Sequence, residues 1–214
     1  MPLGDLAAIR KDYILRSLDE KDVDADPVRQ FQSWLNDAMN AAALEPTAMA
    51  LATSSKDGTP SARIVLLKGV DAGGLYFFTN YLSGKGKALE ENPKAAAVFF
   101  WAELERQTRI EGIVEKLSAE ESEAYFNSRP EESRISAAIS PQSRIVPDRK
   151  YLEDMFAARK LELNGSSVKR PPHWGGYKII PNMFEFWQGR ANRLHDRIRY
   201  VKDNAAWKIE RLAP

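Results

Sequence analysis

Apolar residues recur at spacings of three and four along one stretch of the chain: Val28, Phe31, Leu35, Ala38 and Ala42. That spacing puts all five on one helix face. Asp26-Pro27 supplies the start, with the carboxylate as cap and proline in the first turn, and Glu45-Pro46 supplies the stop. Residues 1–44 as a whole read as a helical segment. Beyond it the pattern turns to short apolar runs between turn residues. Strands are predicted over 48–53, 63–70, 75–79, 95–101 and 106–117. Asp57-Gly58 and Asp71-Ala72-Gly73-Gly74 mark turns, and 83–92 is a short helix stopped by Pro93. Ser118 and Glu121 form a capping box for a further helix, and another spans 148–163, ended by Asn164-Gly165. Four more strands follow over 177–180, 183–187, 197–201 and 206–212, with Asp203-Asn204 as the last turn.

Eight or nine strands with short turns and inserted helices do not make the βαβ alternation of a doubly wound sheet. No glycine-rich phosphate loop follows a strand. The pattern predicts a mainly β chain with peripheral helices (α+β), an antiparallel barrel. The expected organisation is one domain over 1–214, with the helical segment leading into a barrel over 45–214.

Composition narrows the chemistry. The 214 residues carry 31 Lys+Arg against 30 Asp+Glu, a net charge of +1. Such a balance provides no global field for nucleic acid or anionic membrane. Cysteine is absent, which excludes disulfides, thiolate metal sites and cysteine nucleophiles. With two histidines, His173 and His195, no metal site is expected. The longest apolar run, residues 95–102, is far short of the roughly 20 residues of a membrane span. Asp5, Arg10, Lys11 and Asp12 break up any signal-peptide core, so a cytoplasmic protein is expected.

Candidate chemistry lies where cations meet apolar or small residues. Arg63 and Lys68 bracket Ile64, Val65, Leu66 and Leu67; strict alternation would face them oppositely, toward two different anions, or toward one if a bulge intervenes. Strand-end charges reaching water are the plain alternative. Ser83-Gly84-Lys85-Gly86-Lys87 opens a helix, a place suited to phosphate or to a solvated turn. Tyr125, Arg129 and Ser133 stand four apart across Pro130; if both halves stay helical they make a phosphate clamp, otherwise an exposed face. From Trp187 to Pro214 there are seven Lys+Arg against three Asp+Glu, with His195 among arginines that disfavour its imidazolium form. Indole, amide and guanidinium groups there suit a planar polar ring. No activated nucleophile stands out, so a cofactor would carry the chemistry.

The motifs then become specific. Residues 63–68, Phe77-Phe78-Thr79-Asn80, Glu105-Arg106-Gln107, Phe126-Asn127-Ser128-Arg129-Pro130, Trp174-Gly175-Gly176, Glu185-Phe186-Trp187-Gln188-Gly189, residues 193–197 and residues 207–214 resemble, in order, pyridoxine/pyridoxamine 5′-phosphate oxidase. The resemblance runs from about Leu6 to Pro214. It implies an FMN-binding split β-barrel, and a homodimer with FMN at the interface. The implied reaction oxidises pyridoxine 5′-phosphate or pyridoxamine 5′-phosphate to pyridoxal 5′-phosphate, with hydride passing to flavin N5 and O2 reduced to hydrogen peroxide.

By the same resemblance, Arg63, Ile64, Val65, Leu66, Leu67 and Lys68 line the FMN, with Phe78, Thr79, Gln107, Trp187 and Arg197. Lys85, Gln142 and Ser143 lie at its phosphate. Lys68, Tyr125, Arg129 and Ser133 hold the substrate phosphate. Arg193, Leu194 and His195 lie against the substrate ring, with Arg193 and His195 at the reacting carbon, and Arg10 and Tyr13 close over it. Three positions depart from the family: Gly84 where it usually has Arg, Ser136 for a glycine, and Arg144 for a serine. The Gly84 departure removes one charge-assisted phosphate contact, worth ~1.5–3 kcal/mol, which Arg144 or Lys87 would offset. The rivals are another split-barrel flavoprotein, such as a flavin reductase or deazaflavin-dependent oxidoreductase, and a non-catalytic vitamin B6 phosphate-binding protein. The substrate-phosphate set argues against the first; Gly84 keeps the second open.

Overall fold

The structure is a computed structural model that describes residues 12–204 and 206–214. Those residues form nine strands and five α-helices. In order they are α1 (Pro27–Asn40), β1 (Ala48–Ser54), β2 (Pro60–Leu66), β3 (Gly69–Asp71), β4 (Gly74–Asn80), α2 (Gly84–Glu91), β5 (Lys94–Trp101) and β6 (Arg106–Lys116). Then come α3 (Ala119–Ser128), α4 (Glu131–Ile139), α5 (Arg149–Leu163), β7 (Trp174–Gln188), β8 (Asp196–Asp203) and β9 (Ala206–Arg211). The strands are hydrogen-bonded in the order β2-β1-β5-β6-β7-β4-β3, with β8 on β7 and β9 on β8. The mainly β reading with peripheral helices holds.

The chain divides into two compact units, and β5, β6 and β7 each run through both. Among the described residues the first comprises 12–48, 98–110, 182–204 and 206–214. Its core is aromatic: Phe31 packs on Phe99 at 4.9 Å, and Trp34 meets Phe186 edge-on at 5.1 Å. Here β8 pairs with β7 from Met183↔Val201 to Gln188↔Asp196. The second unit comprises residues 49–97 and 111–181. Its sheet buries Met49, Leu51, Leu75, Phe77 and Ile179. A second cluster of Phe126, Ile135, Leu163, Val168 and Trp174 joins α3, α4 and α5 to the start of β7. Here β4 pairs antiparallel with β7, from Leu75↔Ile179 to Asn80↔Trp174.

Several local expectations are corrected. The predicted helical segment is α-helical only over α1 among the described residues; residues 12–26 carry one 3-10 turn, Glu20–Asp22. Ala42 lies past the helix end with φ 51°. The strand predicted over 63–70 breaks after Leu66 and resumes at Gly69, so alternation does not relate Arg63 to Lys68. Both halves of the stretch interrupted by Pro130 are helical, but Arg129, before the proline, is extended (φ −78°, ψ 151°) and stands outside both helices. The pair predicted over 177–180 and 183–187 is one strand, β7.

Candidate functional site

In the second unit, the first turn of α2 builds a cationic cluster. Ser83 caps the helix by accepting from the Gly86 N–H. Lys85, half-buried, donates from Nζ to Thr79 Oγ1 at 3.0 Å and Gln142 Oε1 at 2.9 Å. Thr79 Oγ1 in turn lies 3.2 Å from Gln142 Oε1. Ser143, at φ 69°, sits beside Gly84: a Cβ built there lies 3.8 Å from its Oγ. Arg63 on β2 donates to Leu51 O, Thr53 Oγ1 and Ser61 Oγ. Burial, then the Arg63 charge, lowers the Lys85 pKa. Among the described residues neither cation has a carboxylate partner. Fixed donors, two cations and no counter-ion fit a phosphate ester.

A second feature of the same unit is a layer of rings. Phe78 stacks on Tyr125 at 3.8 Å and on Trp174 at 5.7 Å. The Arg129 guanidinium lies 4.7 Å over Trp174. Its buried Nη1 has no hydrogen-bond partner among the described residues, and burial lowers its pKa while raising that of Tyr125. A desolvated guanidinium with an unsatisfied donor is costly without an anion. Ser133 is half-buried on α4, four residues on from Arg129, and Lys68 is exposed between β2 and β3.

The first unit holds the remaining candidates apart from residues 64–67, which belong to the second. Trp187, near the end of β7, and His195 lie 4.7 Å apart, and Tyr13 meets them edge-on at 5.6 and 5.8 Å. His195 Nδ1 accepts the Arg190 N–H at 3.1 Å, so that nitrogen carries no hydrogen and Nε2 is the ring's donor. Arg193, at φ 60°, and Leu194 are exposed beside it. Arg197 donates to Glu185 Oε1 at 2.8 Å and to Ala213 O at 2.7 Å. Glu185 also faces Arg109 at 2.9 Å, so this carboxylate, 3% exposed, serves two guanidinium groups. Gln107 is half-buried on β6. Ile64 is exposed, Val65 and Leu66 are half-buried and Leu67 is buried. Arg10 lies outside the described residues.

Comparison with known proteins agrees with these motifs. The sequence profile described as pyridoxamine 5′-phosphate oxidase matches residues 35–161. The profile for the C-terminal dimerisation region of pyridoxine 5′-phosphate oxidase matches 174–214. The chain belongs to the pyridoxamine 5′-phosphate oxidase family. Within that family it is 54% identical over 216 residues to the pyridoxine/pyridoxamine 5′-phosphate oxidase of Cupriavidus metallidurans, covering 99% of this chain and 100% of that one. It is 53% identical to the Cyanothece sp. protein of the same name, with 98% of each covered. Among solved structures it resembles PhzG from Burkholderia lata 383, in complex with tetrahydrophenazine-1-carboxylic acid, at 32% identity and TM-score 0.88, covering 94% and 99%. A pyridoxamine 5′-phosphate oxidase-related, FMN-binding protein of Nostoc punctiforme shares the fold at 16% identity and TM-score 0.71, covering 90% and 100%. The split barrel of the oxidase family is thus the fold of this chain.

Three contributors carry no role in the sequence reading. Trp174 under Arg129 and Glu185 between Arg109 and Arg197 stand inside quoted oxidase motifs, yet nothing in the spacing ties them to those arginines. Glu105 opens the Glu105-Arg106-Gln107 motif, and its partners are backbone groups at Ile14 and Leu15. Arg144, read as an offset for Gly84, lines a cavity of about 260 Å³ with Asn80, Gln142 and His173.

Proposed function

We propose that the chain is an FMN-dependent oxidase converting pyridoxine 5′-phosphate or pyridoxamine 5′-phosphate to pyridoxal 5′-phosphate. The observation that carries this reading is the pair of uncompensated cation sets, Arg63 with Lys85 and Arg129 beside Tyr125. The reaction needs two phosphates, one on cofactor and one on substrate. Lys85, Thr79, Gln142, Ser143 and Arg63 hold the first; Arg129, Tyr125, Ser133 and Lys68 hold the second. The chemistry that FMN supplies when bound is acceptance of a hydride and its return to O2 as hydrogen peroxide.

The protein's own part is binding and orientation. Arg129, already desolvated against Trp174, loses little solvation on meeting phosphate. His195 offers an Nε2–H to the hydroxyl or amine substituent at the reacting carbon, Arg193 supplies a cation that favours its deprotonated form, and the proton passes to water. With the amine substrate, water hydrolyses the imine product and releases ammonia. Tyr13 covers the ring and excludes water. The homodimer belongs to this proposal: the match to a dimerisation region supports it, as do the exposed strand residues Ile64 and Phe100.

The test is direct. The purified protein is saturated with FMN, its visible spectrum recorded, and pyridoxine 5′-phosphate added in air. A flavin spectrum with stoichiometric hydrogen peroxide and pyridoxal 5′-phosphate is expected. Failure to take up FMN, or turnover of a reduced phenazine carboxylate with none of the vitamer phosphate, overturns the reading.

A further inference from the structure

Glu105 is 2% exposed, yet it is a carboxylate in a non-helical turn at φ 54°. A buried carboxylate and a left-handed non-glycine backbone are both unfavourable unless the surroundings require them. Its Oε2 accepts the N–H groups of Ile14 at 2.9 Å and Leu15 at 3.1 Å. Its carbonyl accepts the Gly189 N–H at 2.8 Å and Gln188 Nε2 at 3.2 Å. One residue therefore fixes two things: the segment that carries Tyr13, by its side chain, and the end of β7 that carries Trp187, by its backbone.

Next to Tyr13, apolar burial does not hold the segment, since Ile14 is 76% and Leu15 55% exposed; further on, Leu18 is buried, at 6%. Polar contacts hold it. Leu18 N–H donates to Asp196 Oδ2 at 3.1 Å, and Arg211 binds Glu20 and the Leu18 carbonyl. Tyr13 is brought so close to β7 that a Cβ on Gly189 would lie 2.6 Å from its Cγ. We propose that Glu105 is a positioning residue, which holds Tyr13 against His195 and Trp187 and so sets substrate affinity without touching substrate. This rests on the reading of Tyr13 and His195 as substrate contacts given under the proposed function.

The test compares the FMN-loaded wild type with Glu105→Gln, Glu105→Ala, Tyr13→Ala and the double variant Glu105→Ala/Tyr13→Ala. Two readouts are taken: KM and kcat for pyridoxine 5′-phosphate, and the initial rate of tryptic cleavage after Arg16 and Lys21. Glu105→Ala is expected to raise KM about 10-fold with kcat within about twofold, and Glu105→Gln, which keeps an acceptor, about 3-fold. The double variant should match Tyr13→Ala, because the effect passes through that ring. Cleavage of the segment should quicken about 10-fold in Glu105→Ala. Independent multiplication of the two KM effects, or loss of kcat with unchanged KM, overturns the proposal. If the wild type does not turn over the substrate, the proposed function fails by itself. Cleavage then decides for Glu105: an unchanged rate in Glu105→Ala refutes the anchoring.

Discussion

Burial and the Arg63 guanidinium lower the pKa of Lys85, whose ammonium has two neutral oxygen partners and no carboxylate. The direction sets a pH dependence. As pH rises, this ammonium loses its proton before an ordinary lysine does, so affinity for a phosphate ester falls earlier on the alkaline side. In that window the unfolded chain still holds the proton, so the free protein gains stability as pH rises through it. Flavin fluorescence quenching should therefore show the FMN dissociation constant flat near neutrality and rising in the alkaline range. Lys85→Met should weaken binding about 10- to 100-fold near neutrality and remove the part of the alkaline slope that Lys85 supplies. An unchanged slope would place the titrating group elsewhere. Lys85 was open to sequence reading because small residues and cations open a helix there. Glu105 was not, since its partners lie 90 and 91 residues away and are backbone groups that any side chain could accompany.

Helix starts are local, and the sequence declared them. Asp26 caps α1 by accepting the Val28 N–H at 2.9 Å, with Pro27 in the first turn. Asp26→Ala should destabilise the protein by about 1 kcal/mol, read as a lower urea midpoint at unchanged m-value. The Ser118–Glu121 capping box was equally legible, and the helix predicted over 148–163 is α5, which Asp148 caps. Proline was less so, because its effect depends on partners distant in sequence. Pro130 ends α3 and starts α4, as a pre-proline residue in extended geometry requires. Pro181 interrupts nothing. On β7, pairing to β4 ends at Ile179 and pairing to β8 begins at Met183, so the missing N–H falls where neither partner needs it. Gly112 on β6 lies beside the same point of β7, where a Cβ would come 2.2 Å from Ile180 O. A period-two reading sees two short strands because it cannot see that one strand changes partners. The break at Leu66 is hidden for the same reason: residues 63–70 are uniformly aliphatic apart from Arg63, Lys68 and Gly69, and the Lys68 N–H bond to Tyr76 O follows from β4.

Across the whole chain a net charge of +1 averages over groups that are not locally neutralised. Some exposed charges are paired, as in Lys150 with Asp154 and Arg149 with Glu153. Surface pairs of that kind contribute little to stability. The half-buried Arg63, Lys85 and Arg129 instead have no carboxylate partner among the described residues, and burial lowers the pKa of each. If these cations bind the phosphates of the proposed function, a phosphate relieves part of that desolvation and the ligands supply part of the stability. A ligand at about 100 times its dissociation constant stabilises by about 2.7 kcal/mol, which for a chain of this size raises the melting temperature by roughly 5–10 °C. FMN should produce that shift in a thermal melt. Riboflavin has the same ring without the phosphate and leaves Lys85 and Arg63 uncompensated, so at equal concentration it should produce a small fraction of it. In Lys85→Met the advantage of FMN over riboflavin should shrink while the riboflavin shift stays as it was. Equal shifts from the two flavins in the wild type would show that the ring, and not the cation cluster at the start of α2, governs binding.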